Sequence, residues 1–112
     1  MLPRAGRLRN KRDFERVYQQ GRRVSMELFT MYVYPRGNSA PTRIGFVVGR
    51  RFGTHVARNR VKRRLRAAVR PLWEHLPHGY DLVCIARPPA ATAPMDALRE
   101  QFQRAFQQGG VL

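Results

Sequence analysis

Cysteine, lysine and acidic side chains are all scarce in this sequence, and each scarcity removes a class of function. The single cysteine, Cys84, cannot form an intramolecular disulfide or build a cysteine-based zinc site. It lies in the apolar run YDLVCIA, which suits a buried, inert thiol better than a nucleophile. The acids Asp13, Glu15, Glu27, Glu74, Asp81, Asp96 and Glu100 are scattered one or two to an element. Asp13 and Glu15 diverge on a helix, so neither a paired-carboxylate site nor a two-metal nuclease site is visible. His55, His75 and His78 have no ligand partners and read as loop or surface residues rather than zinc ligands. Gly49 and Gly53, in GRRFG, lack the spacing and the lysine of a phosphate-binding loop. No apolar run approaches the ~18 residues of a membrane span. The basic start, MLPRAGRLRNKRDF, has no apolar stretch behind it and is not expected to act as a signal peptide. Cytoplasm is the expected compartment, and any reaction the protein takes part in is expected to draw its reactive groups from elsewhere.

What the chain has in abundance is positive charge. Lys and Arg number 22 against 7 Asp and Glu, a net charge of +15 over 112 residues. Such a field concentrates polyanions, which makes nucleic acid the default partner. All but Lys11 and Lys62 are arginines. The guanidinium fork suits phosphates and stacks on bases, although a GC-rich genome would leave the same bias. Hydrophobic residues make up 43% and aromatics 10%, so the chain should fold as one small domain rather than remain a basic tail. A ribosomal-type protein that merely neutralises phosphates is the plain alternative.

Residues 1–9, with Arg4, Arg7 and Arg9 beside Pro3 and Gly6, read as a flexible basic arm, and 109–112 as a tail. Asn10 and Asp13 have capping-box spacing, Phe14, Val17 and Tyr18 fall at helical spacing, and Gly21 is a stop, predicting a helix over 11–20. The stretch 24–34 reads as one strand, with Phe29, Met31 and Val33 on one face and Tyr32 and Tyr34 on the other. The turn-rich segment 35–41 then leads to a second strand over 43–49, with Ile44, Phe46 and Val48 in phase, and a hairpin is the simplest pairing. Thr54 can cap a helix over 55–73 whose apolar stripe is Val61, Leu65, Ala68, Val69 and Leu72; Pro71 would kink or end it. The run 80–87 fits a central strand covered on both faces. A last helix from about Thr92 or Pro94 buries Met95, Leu98, Phe102, Ala105 and Phe106 and ends at Gly109. The order α-β-β-α-β-α, without repeats, suits an α+β fold of a single small sheet with packed helices.

Two surfaces follow. The helix over 55–73 can bury its stripe on the sheet and turn Arg58, Asn59, Lys62, Arg63, Arg66 and Arg70 outward, with Arg60 and Arg64 on the far flank. A merely solvated face would mix both signs of charge, yet no acid occurs between Arg50 and Arg70. A groove-reading DNA helix lacks any helix-turn-helix partner here. The second surface is aromatic: Phe14 and Tyr18 one turn apart, and Tyr32 on the next strand. These rings could fill core, or could line an open cleft where bases of a single strand stack, with Lys11, Arg12 and Arg16 guiding its backbone.

These residues resemble the protein subunit of bacterial ribonuclease P. The resemblance rests on Arg58-Asn59-Arg60 within GTHVARNRVKRRLR, the preceding pair Arg50 and Arg51, and the segments RLRNKRDFERVYQQG, ELFTMYVY, RIGFVVGRRFG and YDLVCIARPPA. It implies a ribonucleoprotein endonuclease that cuts the 5′ leader from precursor tRNA, with Mg²⁺-dependent hydrolysis performed by the RNA subunit and no metal held by the protein alone. It also implies a left-handed crossover, where right-handed would be the default. By resemblance, Arg50, Arg51, Arg58, Asn59, Arg60, Lys62, Arg63 and Arg66 bind the RNA subunit, and Phe14, Tyr18, Tyr32, Lys11 and Arg12 bind the leader. The partners implied are the RNA subunit and precursor tRNA, with a monomeric free protein. The alternatives are a ribosomal or ribosome-assembly RNA-binding protein and a stand-alone nuclease.

Overall fold

A computed structural model describes residues 6–112. The first helix, α1, spans Lys11–Gln20 and is capped by the Asn10 side chain, which accepts from the Arg12 N–H at 2.9 Å. Asp13 turns to Arg43 (3.3 Å) and Arg16 (3.7 Å). Gly21 ends α1 by donating to the Val17 carbonyl, a fit so close that a β-carbon there would stand 2.4 Å from that oxygen. The chain then forms β1 (Arg22–Ser25) and β2 (Phe29–Pro35), an antiparallel pair. The single strand expected over 24–34 is thus a hairpin. No Gly, Pro or Asn marks its turn. Tertiary bonds hold it: Gln101 Oε1 accepts from the Leu28 N–H at 2.9 Å, and Arg87 donates to the Met26 carbonyl at 3.0 Å.

β3 (Arg43–Val47) does not pair with β2 as the hairpin expectation had it. The sheet order is β1-β2-β4-β3, with β4 (Tyr80–Ala86) between them, antiparallel to β2 and parallel to β3. The most apolar strand takes the centre because only there are both its faces covered; Leu82, Val83 and Cys84 have no exposed surface. The link from β3 to its parallel neighbour β4 crosses over through α2, His55–Trp73. Burial pushes the Cys84 thiol pKa well up, in keeping with an inert core residue. α2 starts at Thr54, whose hydroxyl accepts from the Ala57 N–H at 3.2 Å, after a short 3₁₀ turn Arg50–Phe52 and Gly53 at φ +112°. Pro71 lies inside its last turn and does not end it. A second 3₁₀ turn, Pro88–Ala91, leads to α3, Met95–Gln108.

The sheet is covered on both faces. α2 and α3 lie on the face carrying Phe29, Met31, Val33, Ile44, Leu82 and Cys84, and Phe29 stacks on Phe102 with centroids 4.3 Å apart. Truncating so enclosed a ring costs on the order of 3–5 kcal/mol. α1 lies on the other face, where Leu8, Val17 and Val83 make a small second core with Phe14, Tyr32 and Tyr34 against it. At the end of β4 the buried Asp81 accepts from Arg43 at 2.9 and 2.7 Å and also from Arg36. These bonds to Asp81 are the main reason the Arg43 pKa is raised. Arg36 also donates to the Ala40 and Pro41 carbonyls at 2.7 Å, bracing the 35–41 loop.

Both ends of the described chain are packed. Of the expected arm, residues 1–5 lie outside the described residues, but Leu8 is buried and its N–H donates to the Ile44 carbonyl at 3.0 Å. In the expected tail, Val111 is buried, and the N–H groups of Val111 and Leu112 both donate to the Phe106 carbonyl. Among the described residues no helix is long and apolar enough to cross a membrane.

Candidate nucleic-acid interface

α2 presents its cations because its stripe is turned to the core: Val61, Leu65, Ala68 and Val69 are buried and Leu72 is half-buried. Asn59, Arg60 and Arg63 are exposed, and so are Arg50 and Arg51 just upstream. Arg58, Lys62 and Arg66 are half-buried, as long cationic side chains are when their apolar stems pack on the protein. The Nε of Arg58 is enclosed without a hydrogen-bond partner. Arg64, on the flank, has a different role. It donates to the carbonyls of Ala90 (3.3 Å) and Ala93, tying α2 to the second 3₁₀ turn.

The aromatic cleft forms where α1 crosses the sheet. Phe14 lies over Gly45 of β3, Phe14 and Tyr18 are 6.5 Å apart, and Tyr18 meets Tyr32 edge-on at 5.3 Å. Phe14 and Tyr32 are half-buried and Tyr18 is 39% exposed, so the rings close over a small core and still offer surface at the open end. Burial, and then the neighbouring Tyr32, raise the Tyr18 phenol pKa, so Tyr18 stays neutral at physiological pH. At ~100° per residue, Lys11 shares the Phe14 and Tyr18 side of α1, whereas Arg12 lies about 160° round from Phe14, on the outer side. Both are exposed.

The two surfaces expected from the sequence are joined. A concavity of about 390 Å³ runs past the outer edge of β3, lined by Arg7, Leu8, Arg9, Phe14, Ile44, Gly45, Phe46, Lys62 and Arg66. Lys62 and Arg66 therefore share a concavity with Phe14, the ring at the β3 end of the cleft. Sequence reasoning missed Arg7 and Arg9 here by assigning them to a free arm; the apolar Leu8 between them was the signal that could have found them. It also missed Arg23, which is paired in register with Tyr32 and so projects from the same face of the sheet. That position could be read only once β1 was recognised.

Chemically, this arrangement offers cations suited to phosphates and ring faces suited to stacking bases. Among the described residues no group of three or more His, Cys, Asp or Glu is placed to hold a metal ion. The most buried acid, Asp81, is committed to Arg36 and Arg43.

Comparison with known proteins bears on the family and the fold. The Ribonuclease P family model matches residues 2–109. The chain is 41% identical over 111 residues to the ribonuclease P protein component of Symbiobacterium thermophilum, covering 99% of this chain and 96% of that one. It is 43% identical over 112 residues to that of Chloroflexus aggregans, covering 99% and 82%. Among solved structures it is similar to the RNase P protein of Staphylococcus aureus, with TM-score 0.82, 26% identity and coverage of 96% and 98%. The RNase P protein of Thermotoga maritima superimposes with TM-score 0.79 at 29% identity, covering 91% and 96%.

Proposed function

The chain belongs to the ribonuclease P protein family, and on that premise we propose that its two joined surfaces divide the work of binding between the catalytic RNA and the substrate's leader. As the protein component it is part of the holoenzyme that removes the 5′ leader of precursor tRNA, and it associates with the ribonuclease P RNA. The ribosomal and stand-alone nuclease alternatives give way to that membership.

In the proposed arrangement Arg50, Arg51, Arg58, Asn59, Arg60 and Arg63 contact phosphates of the RNA subunit. Phe14, Tyr18 and Tyr32 take the single-stranded leader, guided along its backbone by Lys11. Lys62 and Arg66 stand where the two RNAs approach each other, and screen their mutual repulsion. The observation that carries this reading is the continuity of the basic helix with the aromatic cleft through the β3 edge. Among the described residues no cluster of His, Cys, Asp or Glu is placed to hold a metal ion, which supports chemistry carried by the RNA. Mg²⁺ belongs, in this reading, to the RNA, and the protein lowers the concentration needed. The free protein is a cytoplasmic monomer that meets both RNAs there.

Reconstitution tests it. Protein is mixed with a bacterial ribonuclease P RNA and a leader-bearing tRNA precursor at low Mg²⁺. Stimulated cleavage over RNA alone is expected, and its absence would overturn the proposal; cleavage by protein alone would place the chemistry on the polypeptide.

A further inference from the structure

A second cationic concavity, of about 500 Å³, lies between α2 and α3 and is lined by Arg63, Arg66, Ala67, Arg70, Pro71 and Arg99. Its lining contains four guanidinium groups and no acid. Its α2 residues recur on successive turns, about 5 Å apart along the helix axis. Arg99 comes from α3, outside the Arg58-Asn59-Arg60 motif. Its ion pair is with Asp96 at 3.5 Å, whose side chain is 96% exposed, so water screens that pair and the guanidinium can turn to a stronger anion.

The floor of this groove adds a second chemistry. Pro71 has no N–H, so the carbonyl of Ala67 lacks the donor that residue i+4 would otherwise supply. Ala67 and Pro71 both line the concavity. A backbone acceptor among arginines suits a ligand that carries a hydroxyl donor next to its anionic groups. The carboxylates of an acidic peptide would pair with the arginines but, offering only acceptors, would leave that carbonyl unsatisfied. Ribose beside a phosphodiester has that combination, and the 2′-hydroxyl is what separates RNA from DNA.

We propose that the α2–α3 groove is an RNA-backbone site in which Arg63, Arg70 and Arg99 hold phosphates of one strand and the Ala67 carbonyl accepts from a ribose 2′-hydroxyl. It rests on the RNA-subunit role of α2 and extends that interface onto α3. Arg70 and Arg99 are both exposed, so the fold tolerates their replacement.

The test measures affinity for the RNA subunit across a salt series for the wild type, Arg70→Ala/Arg99→Ala and Arg58→Ala/Lys62→Ala. The first pair should flatten the logarithmic salt slope by about two units, one for each phosphate no longer neutralised. An unchanged slope there, with a reduced one for Arg58→Ala/Lys62→Ala, overturns the groove and leaves the α2 ridge intact. No change in either pair sinks the α2 reading as well. Pro71→Ala restores the missing donor to Ala67 and should narrow the preference for an RNA hairpin over a DNA hairpin of the same sequence. An unaltered ratio removes the hydroxyl interaction, and equal competition by polyglutamate removes the RNA assignment.

Discussion

Gly45 of β3 lies directly beneath the Phe14 ring of α1, so close that a β-carbon at position 45 would stand 2.3 Å from Phe14 Cζ and 2.8 Å from Cε1. The height of the helix above the sheet, and so the depth of the cleft, is set by the absence of one carbon atom. Gly45→Ala should lift or tilt α1, costing about 1–3 kcal/mol of stability, as overpacking does. Discrimination between precursor and mature tRNA should fall with it. Adding Phe14→Ala should recover stability but not discrimination; if the double variant is no more stable than Gly45→Ala alone, the ring is not what the added carbon strikes.

Tyr18 and Tyr32 meet at 5.3 Å with one ring partly open to solvent. Replacing either by Ala should weaken binding of a leader-bearing precursor by ~1–3 kcal/mol, the worth of one stacked base. Mature tRNA, lacking the leader, should bind as before. Equal losses for both substrates would make the rings core and nothing more.

Arg58 and Lys62 are half-buried on the basic side of α2. Their joint replacement by Ala should reduce RNA-subunit affinity most at low salt and flatten the salt dependence by about one unit for each phosphate left without its cation. Titrating the RNA subunit at several salt concentrations measures this directly, and an unchanged slope would take both side chains out of the interface.

Asp81 is fully buried between Arg43 and Arg36. Asp81→Asn leaves two arginines facing a neutral amide, one of them almost enclosed, and should destabilise the fold by on the order of 3–5 kcal/mol. Denaturant unfolding would show it as a lower midpoint. A midpoint within error of the wild type would mean that water satisfies both guanidinium groups.

With a net charge of +15, the folded protein brings like charges together and should gain stability from anions that bind it. Sulfate at a concentration about a hundredfold above its dissociation constant should add ~2.7 kcal/mol. A thermal melt in sulfate against an equal ionic strength of chloride isolates specific binding from screening; coincident midpoints would show that no anion site is occupied.

The helices were legible because their signals are local. The stripe from Val61 to Leu72, the Thr54 cap and the spacing from Met95 to Phe106 each lie within one element; Phe14 and Tyr18 could be found from the same periodicity, and Tyr32 from strand alternation. Strand pairing was not legible. The β1–β2 turn has no turn residues and is held by Gln101 and Arg87, 73 and 61 residues away from the groups they bind. The place of β4 between β2 and β3 is fixed by burial on two faces, which no short window of sequence records. Arg23 was missed for that reason: its neighbour Tyr32 is reached only through the register. Arg64 could be placed only on the flank of the basic face, and its carbonyl partners alone reveal a brace.

The pairing of Leu8 with Ile44 reaches beyond the groove it helps to line. β3 is an edge strand, and an unsealed edge is a template on which other chains can add. Residues 7 and 8 run alongside it as a short parallel selvage, and the arginines flanking Leu8 repel a second copy of so cationic a protein. Removing that selvage would leave an open seam next to apolar Phe46 and Val47, and self-association would compete with RNA for the same strip of surface.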